Sequence, residues 1–200
     1  MSRPMKIAFL ASRNGSGFRA VVAAIEAGEI PARPCLLVSN SPRAPALDFA
    51  RTHGIADRVI PTQDDPVAAD HALAEALSAS GADLVVLSGY LRRLGPVTLA
   101  RFPSRIVNIH PGLLPQFGGE GMYGRRVHEA VIQSGAAESG ITIHLVDGDY
   151  DHGPVIGLWR VPLTPGETAE SLEQKITSLE PARLAETVRQ IATGELKLPD

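Results

Sequence analysis

"KIAFLASRNGSGFRAVVAAIEAGEI", residues 6–30, changes its hydrophobic period once, and that change decides the fold. Residues 6–12 form a near-continuous apolar run, the pattern of a strand covered on both faces. "GFRAVVAAIEAGEI" (17–30) then spaces its apolar residues for one face of a helix and closes near Gly28. A strand passing straight into a helix through a short polar loop is the opening of a βαβ unit. The alternation continues with a strand at 35–40 ("CLLVSN"), a helix at 44–54, a short third strand at "DRVIP" and a helix at 65–82. Two more apolar strands follow, "DLVVLSGY" (83–90) and "RIVNIH" (105–110). The fold expected is α/β, doubly wound on a mostly parallel central sheet with a Rossmann-like first half.

The last third changes character. Residues 140–163 read as two longer strands joined by an acidic turn, hence an antiparallel pair. Residues 167–193 read as a long terminal helix, with Pro181 marking a kink or break. No repeat or linker divides the chain, so a single domain is expected over residues 1–200.

Composition excludes several classes. Of the 200 residues 44% are hydrophobic and 20% charged, and the net charge of −3 gives no electrostatic case for nucleic acid or membrane binding. Cys35 is the only cysteine, which removes an internal disulfide and any multi-cysteine metal site; its setting reads as a buried strand position. No signal sequence and no apolar run of membrane-spanning length stand out, so a cytoplasmic location is expected.

Ligands of doubly wound sheets sit at the carboxyl ends of the strands. There the sequence places Ser12-Arg13-Asn14-Gly15, Ser39-Asn40 and Asn108-Ile109-His110. Gly15, Ser16 and Gly17 offer backbone N–H groups at a helix start, a site for phosphate, although neither the dinucleotide nor the P-loop fingerprint is met. The structural alternative is a tight βα turn with Ser16 as the N-cap. Asn108 and His110 are two residues apart in a strand and so share a face, where both can donate to an oxyanion; the alternative is a hydrogen-bonded strand end.

"DGDYDHGP" (147–154) puts acids at alternate positions as a calcium loop does, but His152 stands where such a loop needs Gly and Leu158 where it needs Glu. It reads instead as an acidic turn from which one carboxylate faces His110. His144 is either a core histidine or a second layer around the site, and His53, His71 and His128 read as surface or structural. Arg92 and Arg93 either line a pocket or are solvated.

Taken in order, "SRNGS", "LSGYLRRLGP", "NIHPGLLPQF", "GITIHLV" and "DYDHGPVI" resemble the glycinamide ribonucleotide (phosphoribosylglycinamide) formyltransferases of purine biosynthesis. The resemblance spans essentially the whole chain. It implies a formyl donor, 10-formyltetrahydrofolate, an acceptor, glycinamide ribonucleotide (GAR), no metal, and a monomer or homodimer. It implies catalytic roles for Asn108, His110 and Asp151, with a phosphate loop at Gly15, Ser16 and Gly17. It further implies folate contacts from Leu91, Arg92, Arg93, Leu94 and Asn108 and from Asp147, Gly148, Asp149, Tyr150 and Asp151. Glu180 matches the acid that contacts the acceptor, where the bare pattern reads a solvated helix residue. The two halves divide near residue 104, phosphate binding before it and catalysis after it.

The chain departs from the family in two places. Gly17 stands where family loops carry Asn and Arg13 where Gly is common, and "GGEGMYGRR" replaces the histidine-rich loop of many bacterial members. These changes touch the choice of acceptor rather than the chemistry. The mechanism implied has Asn108 and a protonated His110 donating to the oxyanion while Asp151 keeps His110 charged and assists proton transfer. Rivals on the shared trio are a sugar-nucleotide N-formyltransferase, a 10-formyltetrahydrofolate hydrolase and a methionyl-tRNA formyltransferase, the last two expected to carry an extra domain. A phosphate- or nucleotide-binding module is the non-enzymatic rival.

Overall fold

Residues 3–199 are described by a computed structural model. The first half alternates strictly: β1 (Met5–Leu10), α1 (Ser16–Glu26), β2 (Ala32–Ser39), α2 (Pro45–Thr52), β3 (Asp57–Val59), α3 (Pro66–Ser80) and β4 (Leu84–Leu87). A short α4 (Pro96–Arg101) leads to β5 (Ile106–His110), and α5 (Arg125–Gln133) follows a loop. The chain then forms β6 (Glu138–Leu145), β7 (Val155–Pro162) and α6 (Ala169–Thr193). No helix among the described residues is long and apolar enough to cross a membrane.

All strands join one sheet in the order β3-β2-β1-β4-β5-β6-β7. Pairing is parallel from β3 to β5 and antiparallel at β5–β6 and β6–β7. The chain runs outward from β1 to β3 and then crosses back to β4 on β1's other side. The crevice above β1 and β4 is therefore the switch point where such sheets bind ligands.

Alternate residues of β1 show why the strands read as unbroken apolar runs. Ile7 and Phe9 pack with Phe18 and Val21 of α1 and Leu184 and Val188 of α6, while Ala8 and Leu10 pack with Leu73 and Leu77 of α3. A third cluster joins Val127 and Val131 of α5 to Ile141 of β6 and to Leu172 and Ile176 of α6. Start signals hold the helices in place: the Asp65 side chain accepts the Ala68 N–H, and Thr168 and Ser171 form a capping box on α6.

Helices α4 and α5 were not anticipated. Both are short, and only tertiary packing of faces such as Val127 and Val131 stabilises helices of that length. Pro181 does not break α6, because Leu172, Ile176, Leu184 and Val188 bury the turns on either side of it. That burial outweighs the roughly 3 kcal/mol that proline costs inside a helix. Cys35 in β2 is half-buried rather than buried.

Gly17 sits where α1 crosses α6. A Cβ there would lie 2.5 Å from Leu184 Cδ2 and 3.1 Å from Ser88 Oγ, so the Asn that family loops carry would require Leu184 to shift. Gly17→Ala is expected to lower stability by about 1–3 kcal/mol, the usual cost of overpacking. Urea unfolding measures it, and an unchanged midpoint would refute this account of Gly17.

Candidate active site

Asn108 and His110 project from one face at the end of β5, and each meets a polar partner across the antiparallel pair with β6. Asn108 lies opposite His144 and His110 opposite Thr142. The Asn108 amide, through Nδ2, is 3.2 Å from His144 Nε2. His144 Nδ1 donates to the Leu145 carbonyl at 2.9 Å. The Thr142 hydroxyl donates to Gly112 O at 2.7 Å and accepts the Leu114 N–H at 3.2 Å, tying the exit of β5 to β6.

Asp151 reaches the same point from the β6–β7 connection. Its φ of 55° puts it in the left-handed region and turns its side chain into the site. Oδ2 lies 3.4 Å from His110 Nδ1 and Oδ1 lies 3.4 Å from His144 Nε2. The Gly119 N–H donates to Oδ2 at 3.1 Å. His110 uses its other nitrogen to donate to Phe117 O at 2.7 Å. The three side chains are nearly sealed, with exposures of 3% for His110, 2% for His144 and 10% for Asp151.

The electrostatics follow from that burial. Desolvation alone would raise the Asp151 carboxyl, but the two imidazoles and the Gly119 N–H outweigh it and hold the group below the usual carboxylate range. His110 moves the other way from expectation. Burial pushes its pKa below the ordinary value, and neither Asp151 nor the Phe117 carbonyl compensates. The direction runs against the expectation that Asp151 keeps His110 charged, with the carboxylate opposing the effect of burial.

Around α1 the structure alters one detail of the phosphate reading. Gly15, at φ 64°, is the N-cap, and Ser16 is already the first helical residue. No side chain caps α1, and Ser88 Oγ accepts the Phe18 N–H at 3.0 Å, so the N–H groups just before it remain open to an anion. Arg19 braces this loop by donating to Asn14 O at 3.0 Å and Pro45 O at 3.2 Å while its guanidinium lies over Phe49. Glu180 is not a solvated helix residue: burial raises its carboxyl to about 7. It lies one turn of α6 from Leu184, the residue packed on Gly17.

The segments 91–94 and 147–151 meet through Arg93, which donates to Gly148 O, lies 3.5 Å from Asp149 Oδ1 and stands over the Tyr150 ring. Leu94 is buried, whereas Leu91, Arg92 and Tyr150 are exposed. An adjoining cavity of about 430 Å³ is lined mainly by Leu73, Tyr90, Arg93, Leu94 and Gly148. Burial raises the Tyr90 hydroxyl to about 12, so it stays protonated. In the acidic turn the Asp147 carboxylate takes the Asp149 N–H and faces His152 Nδ1, each at 3.0 Å.

Asp70 escaped the sequence reading. From α3 it accepts the Val97 N–H at 2.8 Å and the Thr98 N–H at 3.0 Å, capping α4 and fixing the far end of segment 91–95. The Phe117 carbonyl and the Gly119 N–H were missed as well, since backbone groups leave no mark on residue type.

Both the sequence and the fold match known proteins. Residues 5–188 match the Formyl transferase family model. The chain is 35% identical to a chloroplastic phosphoribosylglycinamide formyltransferase of Arabidopsis thaliana, over 98% of this chain and 68% of the relative. It is 31% identical to the Escherichia coli phosphoribosylglycinamide formyltransferase, over 97% and 90% of the two chains. The chain belongs to the phosphoribosylglycinamide formyltransferase family.

A glycinamide ribonucleotide transformylase from Symbiobacterium toebii superposes with a TM-score of 0.90 at 33% identity, covering 100% of this chain and 92% of its own. A formyltetrahydrofolate deformylase from Pseudomonas syringae has a TM-score of 0.89 at 21% identity over 65% of its length, a likeness of fold alone.

In this formyltransferase a third buried histidine, His128, lies near His110. His128 on α5 is 1% exposed, and among the described residues its Nδ1 has no hydrogen-bond partner. Burial lowers its pKa despite Glu173, and His110 lowers it further. In the unfolded chain both histidines titrate near 6.5. Below that pH the unfolded chain binds protons that the folded one refuses, so these groups cost stability as pH falls from 7 toward 5. The exposed His152–Asp147 pair has a raised histidine and the opposite sign. Asp151 adds stability that is lost only below the carboxylate range. Urea midpoints across pH 5–7 are expected to fall more steeply for the wild type than for His128→Gln; equal slopes would refute the assignment.

Proposed function

We propose that the chain transfers the formyl group of 10-formyltetrahydrofolate to the primary amine of GAR, giving formyl-GAR and tetrahydrofolate. The observation that carries this reading is the buried cluster of Asn108, His110, His144 and Asp151 at the carboxyl end of β5. The acceptor phosphate lies on the N–H groups of Gly15, Ser16 and Gly17, with Glu180 toward the acceptor. The folate lies along 91–94 and 147–151. A cytoplasmic location and independence from metal belong to the same reading.

The amine nitrogen attacks the formyl carbon, and the new C–N bond leaves a tetrahedral intermediate with a negative oxygen. The His110 Nε2–H, which donates to Phe117 O in the free protein, donates to that oxygen, together with the second N–H of Asn108. Each such donor contributes about 3 kcal/mol to the transition state in comparable sites. The Asp151–His110 pair takes the proton that the amine loses. The bond from the formyl carbon to folate N10 then breaks, and the proton returns to N10 through water. A pair of this kind titrates as a unit rather than as two residues.

Tetrahydrofolate release on mixing the protein with GAR and 10-formyltetrahydrofolate tests the reading directly; release only with an amino sugar nucleotide would reverse the acceptor assignment. Asp151→Asn is expected to lower kcat by about 10²–10⁴-fold, while its amide oxygen still accepts the Gly119 N–H and the protein stays folded. Wild-type turnover in that variant would remove Asp151 from the chemistry. The rate of the wild type is expected to be flat near neutral pH and to fall only below the ordinary histidine value near 6.5, because His110 is pushed downward. An acid limb centred above 7 would contradict a neutral His110.

A further inference from the structure

Ser12 follows β1 at the place where three neighbouring strands end. It is 8% exposed, and both its N–H and its hydroxyl are engaged. Its N–H donates to Gly89 O at 3.1 Å, beyond β4. Its hydroxyl donates to Asn40 Oδ1 at 2.6 Å, beyond β2, and accepts the Leu91 N–H at 2.8 Å. A hydroxyl donates and accepts at once, so one small side chain joins the exits of β2, β1 and β4.

Two of the segments so joined carry the proposed substrate sites. Ser12 begins the loop that runs to Gly15, Ser16 and Gly17, and Leu91 begins the segment 91–94. The far end of each is fixed separately. Arg19 holds the first through Asn14 O and Pro45 O. Asp70 holds the second through the N–H groups of Val97 and Thr98, with Gly95 packed so tightly on its carboxyl that no Cβ fits. The near ends have the Ser12 contacts in common.

We propose that Ser12 is a positioning residue that sets the acceptor-phosphate loop and the folate segment relative to each other. This rests on the function proposed above, from which the identity of the two segments comes. Ser12 touches neither the transferred carbon nor the proton-carrying groups, so its loss acts on the binding of both substrates rather than on the acid–base pair.

Ser12→Ala and Ser12→Thr test it, in steady-state turnover and in amide hydrogen exchange. In Ser12→Ala the KM values for GAR and for 10-formyltetrahydrofolate are both expected to rise about tenfold, the usual effect of one lost buried hydrogen bond, with the pH profile unchanged. Ser12→Thr, which keeps the hydroxyl, restores both. Exchange at the Leu91 amide is expected to quicken in Ser12→Ala, and inorganic phosphate is expected to slow exchange across 91–94 in the wild type but not in Ser12→Ala; no slowing in the wild type would overturn the proposal. A rise in one KM alone, unchanged KM values, or phosphate protection that persists in Ser12→Ala would each overturn the proposal.

Should Ser12→Ala fail to fold, Asn40→Ala removes the acceptor while sparing the Leu91 bond. Both KM values then rise by a smaller factor, and unchanged values overturn the proposal. A wild type that releases no tetrahydrofolate refutes the function proposed above, whereas the phosphate-exchange arm reads the coupling without turnover and so fails separately.

Discussion

A carboxylate with only 10% of its side chain exposed has to be given partners, and Asp151 takes its partners from three separate stretches of chain. His110 ends β5, His144 lies on β6, and the Gly119 N–H belongs to the loop between β5 and α5. Losing one of these contacts leaves the buried carboxylate short of a partner, at a cost of about 1–3 kcal/mol. The three stretches are thereby bound to one geometry. The left-handed backbone at Asp151 adds about 1–2 kcal/mol of strain for a residue with a Cβ, which the same contacts hold in place. The antiparallel turn of β6 and β7 at the edge of a parallel sheet makes the arrangement possible. Antiparallel β6 sets His144 opposite Asn108 and ends beside the start of β5, and residues 146–154 then run back so that Asp151 meets His110.

The doubly wound sheet was legible because its signal is local. Both faces are covered, so strands such as residues 6–12 and 83–90 read as unbroken apolar runs, and the longer helices between them show a one-sided period. The pairing of Asn108 with His110 was equally plain from spacing in a strand, whereas the acidic turn offered only some carboxylate for His110, and the family resemblance named Asp151. What escaped depends on contacts distant in sequence. Gly17 looks like part of a phosphate loop, and only the position of Leu184 shows that it also makes room for α6. Glu180 reads as one more charged helix residue, yet its surroundings raise it to about 7. Asp70 lies in an unremarkable helical stretch, and its role as a cap is defined by backbone N–H groups on another helix. Phe117 and Gly119 act through main-chain atoms, which residue type does not encode.

The protonation of His110 is the point where burial and pairing oppose each other, and the outcome bears on the mechanism. A nearby carboxylate favours imidazolium, but at 3.4 Å and shared with His144 it does not offset removal of the ring from water. An imidazolium in the resting site would attract the formyl oxygen of bound substrate as well as the later oxyanion. Interactions of equal strength in ground and transition states do not lower the barrier between them. A neutral ring beside an ionised Asp151 behaves differently on the proposed mechanism. Its Nε2–H holds the formyl oxygen only by an ordinary hydrogen bond before reaction. When the attacking amine gives up its proton to the Asp151–His110 pair, positive charge builds on the ring as negative charge builds on the oxygen. On the proposed mechanism, the loop that buries His110 suppresses that charge until the step in which it is needed.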